Sequence, residues 1–307
     1  MMQEIPNGVW PTMITPFDEN NSIDYNAMER LIKWYLKQNV SGLFAVCQSS
    51  EMFFLSLEER INIARFVKEK AGSSIPVIAS GHISDSIPDQ IHEMREISKT
   101  GIDAFVIVTN RLATANESDE VWKSNAEVIL NAVPNIVFGL YECPYPYKRL
   151  MTPDLLRWCA STGRFKFLKD TCCDLKQLEE KLDAVKGTPL KIFNANAATL
   201  LDSLKIGVSG YSGVMANFHP DLYVWLIENW SKYTDVAEEV QSFLGVMSII
   251  ERQVYPVNAK YHLILDGVDM ELYSRVRSHK DLTFSNMIEV QQLHQLWQKC
   301  KKIFNIS

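Results

Sequence analysis

The sequence lacks the long apolar runs of a membrane protein and the basic runs of a broad nucleic-acid-binding surface. No stretch of the chain approaches about 18 uninterrupted apolar residues. The 31 lysines and arginines are outnumbered by 37 acidic residues, which gives a formal net charge of −6. The first ten residues show no basic segment followed by an apolar one. We therefore predict a cytoplasmic protein that associates with neither a membrane nor nucleic acid.

Cysteine and histidine are also sparse, and neither shows the spacing of a metal site. The six cysteines include no Cys-x-x-Cys pair, so we predict reduced and mostly buried thiols and no bound metal. No Gly-x-Gly-x-x-Gly turn follows the first predicted strand. This removes the main argument for a dinucleotide-binding fold, and we expect no cofactor.

The feature that dominates the sequence is an alternation of short apolar runs with helical patterns. Met28, Leu31, Ile32, Tyr35 and Leu36 recur at helical spacing, for example. The predicted strands are residues 8–17, 42–46, 75–79, 102–109, 135–141, 165–169, 190–193 and 210–215. Eight strand–helix units within about 215 residues favour a closed α/β structure, the (β/α)8 TIM barrel. An open parallel sheet is the alternative.

Strand patterns stop near residue 220. Segments 222–230, 236–255 and 284–303 all have the pattern of helices. We therefore predict a (β/α)8 barrel that carries the active site over residues 1–217 and a C-terminal helical extension over residues 218–307. No linker composition separates the two, so we expect one structural unit.

Polar residues at the ends of the barrel strands are the catalytic candidates, because chemistry in this fold occurs at the C-terminal ends of the strands. Period-2 alternation in the sixth strand places Phe165, Phe167 and Lys169 on one face, which we predict to be the barrel interior. Burial disfavours a charged lysine, and a free amine can form a Schiff base with a carbonyl. The alternative is a solvated lysine in the following turn.

Two further segments lie at the same end of the barrel. Tyr141 ends the fifth strand and can transfer a proton there, although a buried structural tyrosine would give the same pattern. The loop after the second strand carries Gln48, Ser49 and Ser50, whose polar groups can bind a carboxylate. The sequence leaves open whether Glu51 in this loop, or His82 after the third strand, takes part.

These segments together resemble the dihydrodipicolinate synthase / N-acetylneuraminate lyase family of class I Schiff-base aldolases. Gln48-Ser-Ser-Glu51 corresponds to the family's carboxylate-binding loop, and Tyr141-Glu-Cys-Pro144 resembles its Tyr-Asn-x-Pro motif. Phe167-Leu-Lys-Asp-Thr171 resembles the strand that carries the Schiff-base lysine. Lys169 follows Tyr141 by 28 residues, which is the spacing in the family. Pro256 and Lys260 match a Pro-x-x-x-Lys stretch in the family's C-terminal helices.

The resemblance implies Lys169 and Tyr141 as the catalytic pair. Gln48, Ser49 and Ser50 would bind the carboxylate of a 2-oxo acid such as pyruvate. Thr171 matches a threonine found in the lyases, and we add Asn194 and Ser212, near the ends of the seventh and eighth strands, as substrate contacts. The resemblance also implies a homo-oligomer, either a dimer or a tetramer.

Departures from the family leave the second substrate open. Residues 108–112 contain no tyrosine where the synthases have a pair. Pro146 replaces the arginine that binds their second substrate, and Asn194-Ala-Asn-Ala197 replaces an acidic motif of the lyases. The chain thus resembles neither specialised branch. We predict a lyase or aldolase that joins or splits pyruvate and an unidentified aldehyde. The alternatives are a keto-deoxy sugar acid dehydratase or aldolase that uses the same lysine, and a non-catalytic barrel that binds an oxo acid.

Overall fold

Eight parallel strands form the centre of the molecule. The structure is a computed structural model that describes residues 4–306. The strands pair in the order β1-β8-β7-β6-β5-β4-β3-β2. They are Gly8–Val9 (β1), Leu43–Phe44 (β2), Val77–Ala79 (β3), Ala104–Val108 (β4), Phe138–Tyr141 (β5), Phe165–Asp170 (β6), Lys191–Asn194 (β7) and Gly210–Tyr211 (β8).

The sheet closes between the segment after β1 and β2. The Phe44 N–H donates to the Pro11 carbonyl at 3.0 Å, and the Met13 N–H donates to the Phe44 carbonyl at the same distance. The predicted (β/α)8 barrel is therefore confirmed. Strand β1 covers fewer residues than the predicted strand 8–17, because Pro11 has no N–H to donate to a neighbouring strand.

Eleven α-helices are formed within residues 4–306, and helices α1–α7 alternate with the strands. A capping box is present at the start of α2, where Ser56 accepts from the Glu59 N–H at 3.2 Å and Glu59 accepts from the Ser56 N–H at 2.8 Å. The helices are Tyr25–Lys37 (α1), Leu57–Ala71 (α2), Ile87–Ser98 (α3), Asp119–Ala132 (α4), Pro153–Ser161 (α5), Leu175–Val185 (α6), Leu200–Lys205 (α7), Pro220–Asn229 (α8), Thr234–Met247 (α9), Val257–Leu265 (α10) and Phe284–Phe304 (α11). No helix within residues 4–306 is long and apolar enough to cross a membrane.

The C-terminal helical extension is present, but the prediction of one helix over residues 236–255 is wrong. Helix α9 ends at Met247, a 3₁₀ helix follows over Ser248–Arg252, and α10 begins at Val257. Pro256 separates the 3₁₀ helix from α10, because it lacks an N–H and disfavours helical backbone at the residue before it. The break turns the 3₁₀ helix toward the open end of the barrel, where the candidate site lies.

Strand β6 contains an irregularity that the alternation pattern did not reveal. Phe165 pairs with Phe138, but Phe167 pairs with the next residue, Gly139, so Lys166 is an extra residue in the ladder. Phe165 consequently packs against Phe138 and Trp158 of α5. The predicted common face is therefore wrong for Phe165, whereas Phe167 and Lys169 keep the predicted alternation.

Aromatic rings fill the barrel beneath Lys169. Phe167 stacks on Phe193 with ring centroids 4.6 Å apart, and Trp10 meets Phe167 edge-on at 5.4 Å. Gly139 makes room for this packing, since a Cβ there would lie only 3.2 Å from the Phe167 Cβ. The aromatic layer closes the barrel below Lys169, so the lysine side chain can approach solvent only through the cavity at the C-terminal ends of the strands.

Candidate active site

A cavity of about 820 Å³ opens at the C-terminal ends of the strands. Strand β5 contributes Tyr141 to its wall and β6 contributes Lys169, while the loop after β2 contributes Gln48 and Ser49. The segment after α9 contributes Tyr255 and closes one side. Five of the predicted site residues thus line one cavity: Gln48, Ser49, Tyr141, Lys169 and Thr171.

Lys169 lies buried at the bottom of the cavity. Its residue is 4% exposed, and none of the carboxylates in residues 4–306 forms an ion pair with it. Burial lowers the pKa of Lys169 below its ordinary value, and the neighbouring Cys47, Cys143 and Glu251 oppose this shift only partly. The Lys169 Nζ lies 4.6 Å from the centroid of the Tyr141 ring. This environment raises the fraction of neutral amine near pH 7.

Tyr141 stands next to Lys169 on the adjacent strand. Its hydroxyl donates to the Gln48 Oε1 at 3.2 Å, and the Cys143 thiol donates to the same oxygen at 3.3 Å. Burial raises the pKa of Tyr141 well above its ordinary value. The phenol therefore stays protonated near neutral pH and can donate a proton to an oxygen bound beside Lys169.

The loop between β2 and α2 exposes two of its three predicted carboxylate-binding residues to the cavity. Gln48 and Ser49 line it, and the Ser49 hydroxyl donates to Thr12 Oγ1 at 3.2 Å. Ser50 does not line it. Its hydroxyl donates to the Cys47 carbonyl at 2.7 Å and accepts from the Cys47 N–H at 2.6 Å. The Ser50 side chain thus fixes the shape of the loop.

Glu51 fastens the C-terminal extension to this loop. Its backbone is left-handed, with φ at 64°. Its Oε2 accepts from the Ser274 hydroxyl at 3.0 Å, the Arg275 N–H at 2.6 Å and the Val276 N–H at 2.9 Å. Burial raises the pKa of Glu51, and Lys260 opposes that shift with its Nζ 3.9 Å from Oε1. Glu51 therefore positions segment 274–276 at the edge of the cavity.

Three other candidates are bonded within the protein and do not line the cavity. The Asn194 Nδ2 donates to Ser203 Oγ at 3.0 Å, and the Ser212 hydroxyl donates to the Trp10 carbonyl at 3.0 Å. The His82 Nε2 accepts from the Val108 N–H at 2.7 Å, and burial lowers the pKa of His82 to about 3. Thr171 lines the cavity, although its hydroxyl donates to the Glu142 carbonyl at 2.7 Å.

A buried ion cluster lies on the outer side of β5 and β6. The Lys181 Nζ of α6 lies 2.5 Å from both Glu142 Oε1 and Asp170 Oδ2, and all three side chains are at most 2% exposed. Burial and the nearby Asp170 charge raise the pKa of Glu142, while Lys181 opposes the shift. The Glu142 Oε2 also accepts from the Thr171 N–H at 2.9 Å. The cluster thus joins the two strands that carry Tyr141 and Lys169.

Sequence reasoning missed the charged residues that the C-terminal extension brings to the cavity. Glu251 and Arg252 come from the 3₁₀ helix, and Arg277 follows the segment held by Glu51. No local pattern identified them, because their approach to Lys169 depends on tertiary packing. Within residues 4–306, no group of three or more His, Cys, Asp or Glu side chains is arranged to hold a metal ion.

The family model and the similar proteins of known name indicate the same family. The model of the dihydrodipicolinate synthetase family matches residues 5–280. A 4-hydroxy-tetrahydrodipicolinate synthase of Archaeoglobus fulgidus is 30% identical over 217 residues, which are 70% of this chain and 72% of that protein. One from Pseudoalteromonas atlantica is 25% identical over 261 residues, 83% of this chain and 87% of that protein.

Solved structures show the same fold at lower identity. The Escherichia coli K12 prophage protein YagE, solved in complex with pyruvate, has a TM-score of 0.85 and 21% identity over 95% of this chain and 98% of its own. CdNal from Clostridium difficile, in complex with mannosamine, has a TM-score of 0.83 and 19% identity over 95% of this chain and 99% of its own.

Proposed function

The chain belongs to the dihydrodipicolinate synthetase family, and from this premise we propose that it joins or splits pyruvate and an aldehyde through a Schiff base on Lys169. Membership supports a class I lyase that depends on pyruvate. The observation that carries the assignment to Lys169 is its burial without a carboxylate partner beside the Tyr141 phenol.

The proposed reaction begins with the neutral Lys169 amine. Its nitrogen attacks C2 of pyruvate, and the former carbonyl oxygen takes a proton to give a carbinolamine. Tyr141 supplies a proton to the hydroxyl that leaves as water, and the C=N bond of the Schiff base forms. Loss of a C3 proton then gives an enamine, whose C3 attacks the aldehyde carbon while the aldehyde oxygen takes a proton and the C=N bond of the imine is restored. Water hydrolyses the imine, releases the product and returns Lys169 as an amine.

Gln48 and Ser49 orient the substrate in this proposal. Both line the cavity beside Tyr141 and Lys169, where polar groups can hold the pyruvate carboxylate and turn the amine attack into a positioned reaction. Gln48 also accepts the hydrogen bond of the Tyr141 hydroxyl and so fixes its direction. Ser50, Asn194 and Ser212 support the site by shaping its backbone, and Thr171 contributes to the wall.

Exchange of the pyruvate methyl protons in heavy water tests this function without knowledge of the aldehyde. An enamine forms and reverts on the enzyme, so the methyl resonance of pyruvate should disappear in the presence of the wild type. Lys169→Ala should show only the exchange seen without protein. A wild type that binds pyruvate without exchange would support a non-catalytic barrel instead.

We also propose that the chain assembles as a homodimer or homotetramer. Exposed apolar side chains surround the cavity, among them Phe54 at 49%, Tyr145 at 50% and Ile249 at 58% exposure. A subunit contact that covers such a patch would remove it from water. Light scattering of the purified chain should give a mass of two or four subunits, and a monomer at micromolar concentration would contradict this proposal.

A further inference from the structure

Two carboxylates within residues 4–306 line the cavity, and the protein itself engages only one of them. Glu51 is buried, and its Oε2 holds segment 274–276. Glu251 belongs to the 3₁₀ helix Ser248–Arg252 and is exposed. Its side chain forms no hydrogen bond or ion pair with the described part of the chain. The Glu251 oxygens are therefore available to a bound molecule.

The 3₁₀ helix places Glu251 on the β8 side of the cavity. Side chains three apart in such a helix lie above one another, so Ser248 and Glu251 share one face, and both line the cavity. The helix packs against the turn Val214–Asn217, which follows β8. The charge of Glu251 favours a higher pKa both at Tyr211 of β8 and at Lys169 of β6. Glu251 is thus within electrostatic reach of the proposed imine.

The proposed imine directs C3 of pyruvate toward this same side. The imine carbon is planar, so its three substituents point in three directions. One substituent is the Lys169 nitrogen, and the carboxylate points across the barrel to the loop after β2. Because Tyr141 occupies the β5 side, C3 points to the opposite side, where Ala195 and Gly213 follow β7 and β8. These small residues leave room above C3 for a side chain from the C-terminal extension.

The phenols and the second amine of the cavity are poor bases for a proton on C3. Burial raises the pKa of Tyr141 and of Tyr255 well above the ordinary value, so both stay protonated near neutral pH. Lys148 donates from its Nζ to a backbone carbonyl at 2.8 Å. Burial also raises the pKa of Glu251, and the charge of Lys169 opposes that shift. A carboxylate with a raised pKa is a stronger base than an ordinary one.

We propose that Glu251 is the base that removes the C3 proton of the pyruvate imine and returns a proton to C3 in the reverse step. The proposal rests on the Schiff-base function proposed above and assigns a group to a step that Lys169 and Tyr141 leave open. A Glu251 oxygen takes the proton, and the electrons of the C3–H bond form the C2=C3 bond. The C=N electrons move to the positively charged nitrogen. The products are a neutral enamine and a carboxylic acid.

Two measurements separate imine formation from removal of the C3 proton. Borohydride trapping with pyruvate reports the imine, and methyl exchange in heavy water reports the following step. Glu251→Gln should trap pyruvate on Lys169 at least as fast as the wild type, because loss of the Glu251 charge favours the neutral amine. The same variant should slow methyl exchange by about 10²–10⁴-fold, the usual contribution of a general base. Glu251→Asp keeps a carboxylate and should exchange faster than Glu251→Gln.

A matched control completes the test. Glu239→Gln changes an exposed glutamate of α9 and should behave as the wild type in both measurements. Wild-type exchange in Glu251→Gln would overturn this inference alone. Loss of trapping together with exchange in that variant would also overturn it, because Glu251 would then act before the C3 step. A wild type that does not trap pyruvate would overturn the proposed function as well.

Discussion

Tyr141 and Lys169 are direct register partners on adjacent parallel strands, and the Lys169 Nζ lies 4.6 Å from the centroid of the Tyr141 ring. The distance between the amine and the phenol is therefore set chiefly by backbone pairing and by the aromatic layer below. Groups held by strands keep their geometry more closely than groups held by loops. The predictions below follow from this pairing and from the buried charges around it.

Tyr141→Phe should keep the fold and slow imine formation by about 10²–10⁴-fold, the usual contribution of a general acid or base. The phenyl ring preserves the packing, while the proton donor is lost. Methyl exchange of pyruvate reports the rate, and circular dichroism reports the fold. Tyr233→Phe, at a tyrosine 45% exposed, serves as the control. A wild-type exchange rate in Tyr141→Phe would assign the proton transfer to another group.

Lys169→Met should stabilise the protein at pH 7. Burial lowers the pKa of Lys169 in the folded state, so the unfolded chain binds more protons between that lowered pKa and the ordinary value near 10.5. The wild type accordingly gains stability from this group as pH rises through that window. The advantage of Lys169→Met should be largest at pH 7 and shrink toward pH 10 in urea unfolding. An advantage that grows with pH would contradict this sign.

Lys181→Met should destabilise the protein by about 3–5 kcal/mol, the usual cost of removing one partner from a buried ion pair. The variant leaves Glu142 and Asp170 together without their cation. Urea unfolding at pH 7 measures the loss. Lys176→Met on the exposed face of the same helix provides the control. Adding Glu142→Gln to Lys181→Met should recover part of the loss, and a loss below about 1 kcal/mol in the single variant would mean that the pair contributes little.

The fold was largely accessible from the sequence because its helices are marked by local signals. The capping box at Ser56 and the cap at Thr152 before Pro153 are sequence motifs, and both start helices in the structure. The errors lie where the sequence pattern looked regular and the backbone is not. The extra residue Lys166 in β6 disturbs an alternation that looked regular, and the change to a 3₁₀ helix at Ser248 falls inside a segment whose pattern looked like one helix.

The site was accessible where a strand end, or the loop directly after a strand, determined it. Lys169 and Tyr141 follow from alternation and from the order of the strands, and the structure brings both to one cavity. Arg252 and Arg277 did not follow, because they reach the cavity from the C-terminal extension, more than 80 residues after Lys169 in the chain. Asn194 lies at a strand end as well, but its side chain is used within the protein.

Reductive trapping tests the central claim most directly. Incubated with pyruvate and borohydride, the wild type should gain the mass of one reduced pyruvate adduct per chain, and peptide mapping should place it on Lys169. Lys169→Ala should gain no adduct, and Lys166→Ala should gain it as the wild type does. An adduct on any other lysine, or none at saturating pyruvate, would contradict the Schiff base on Lys169.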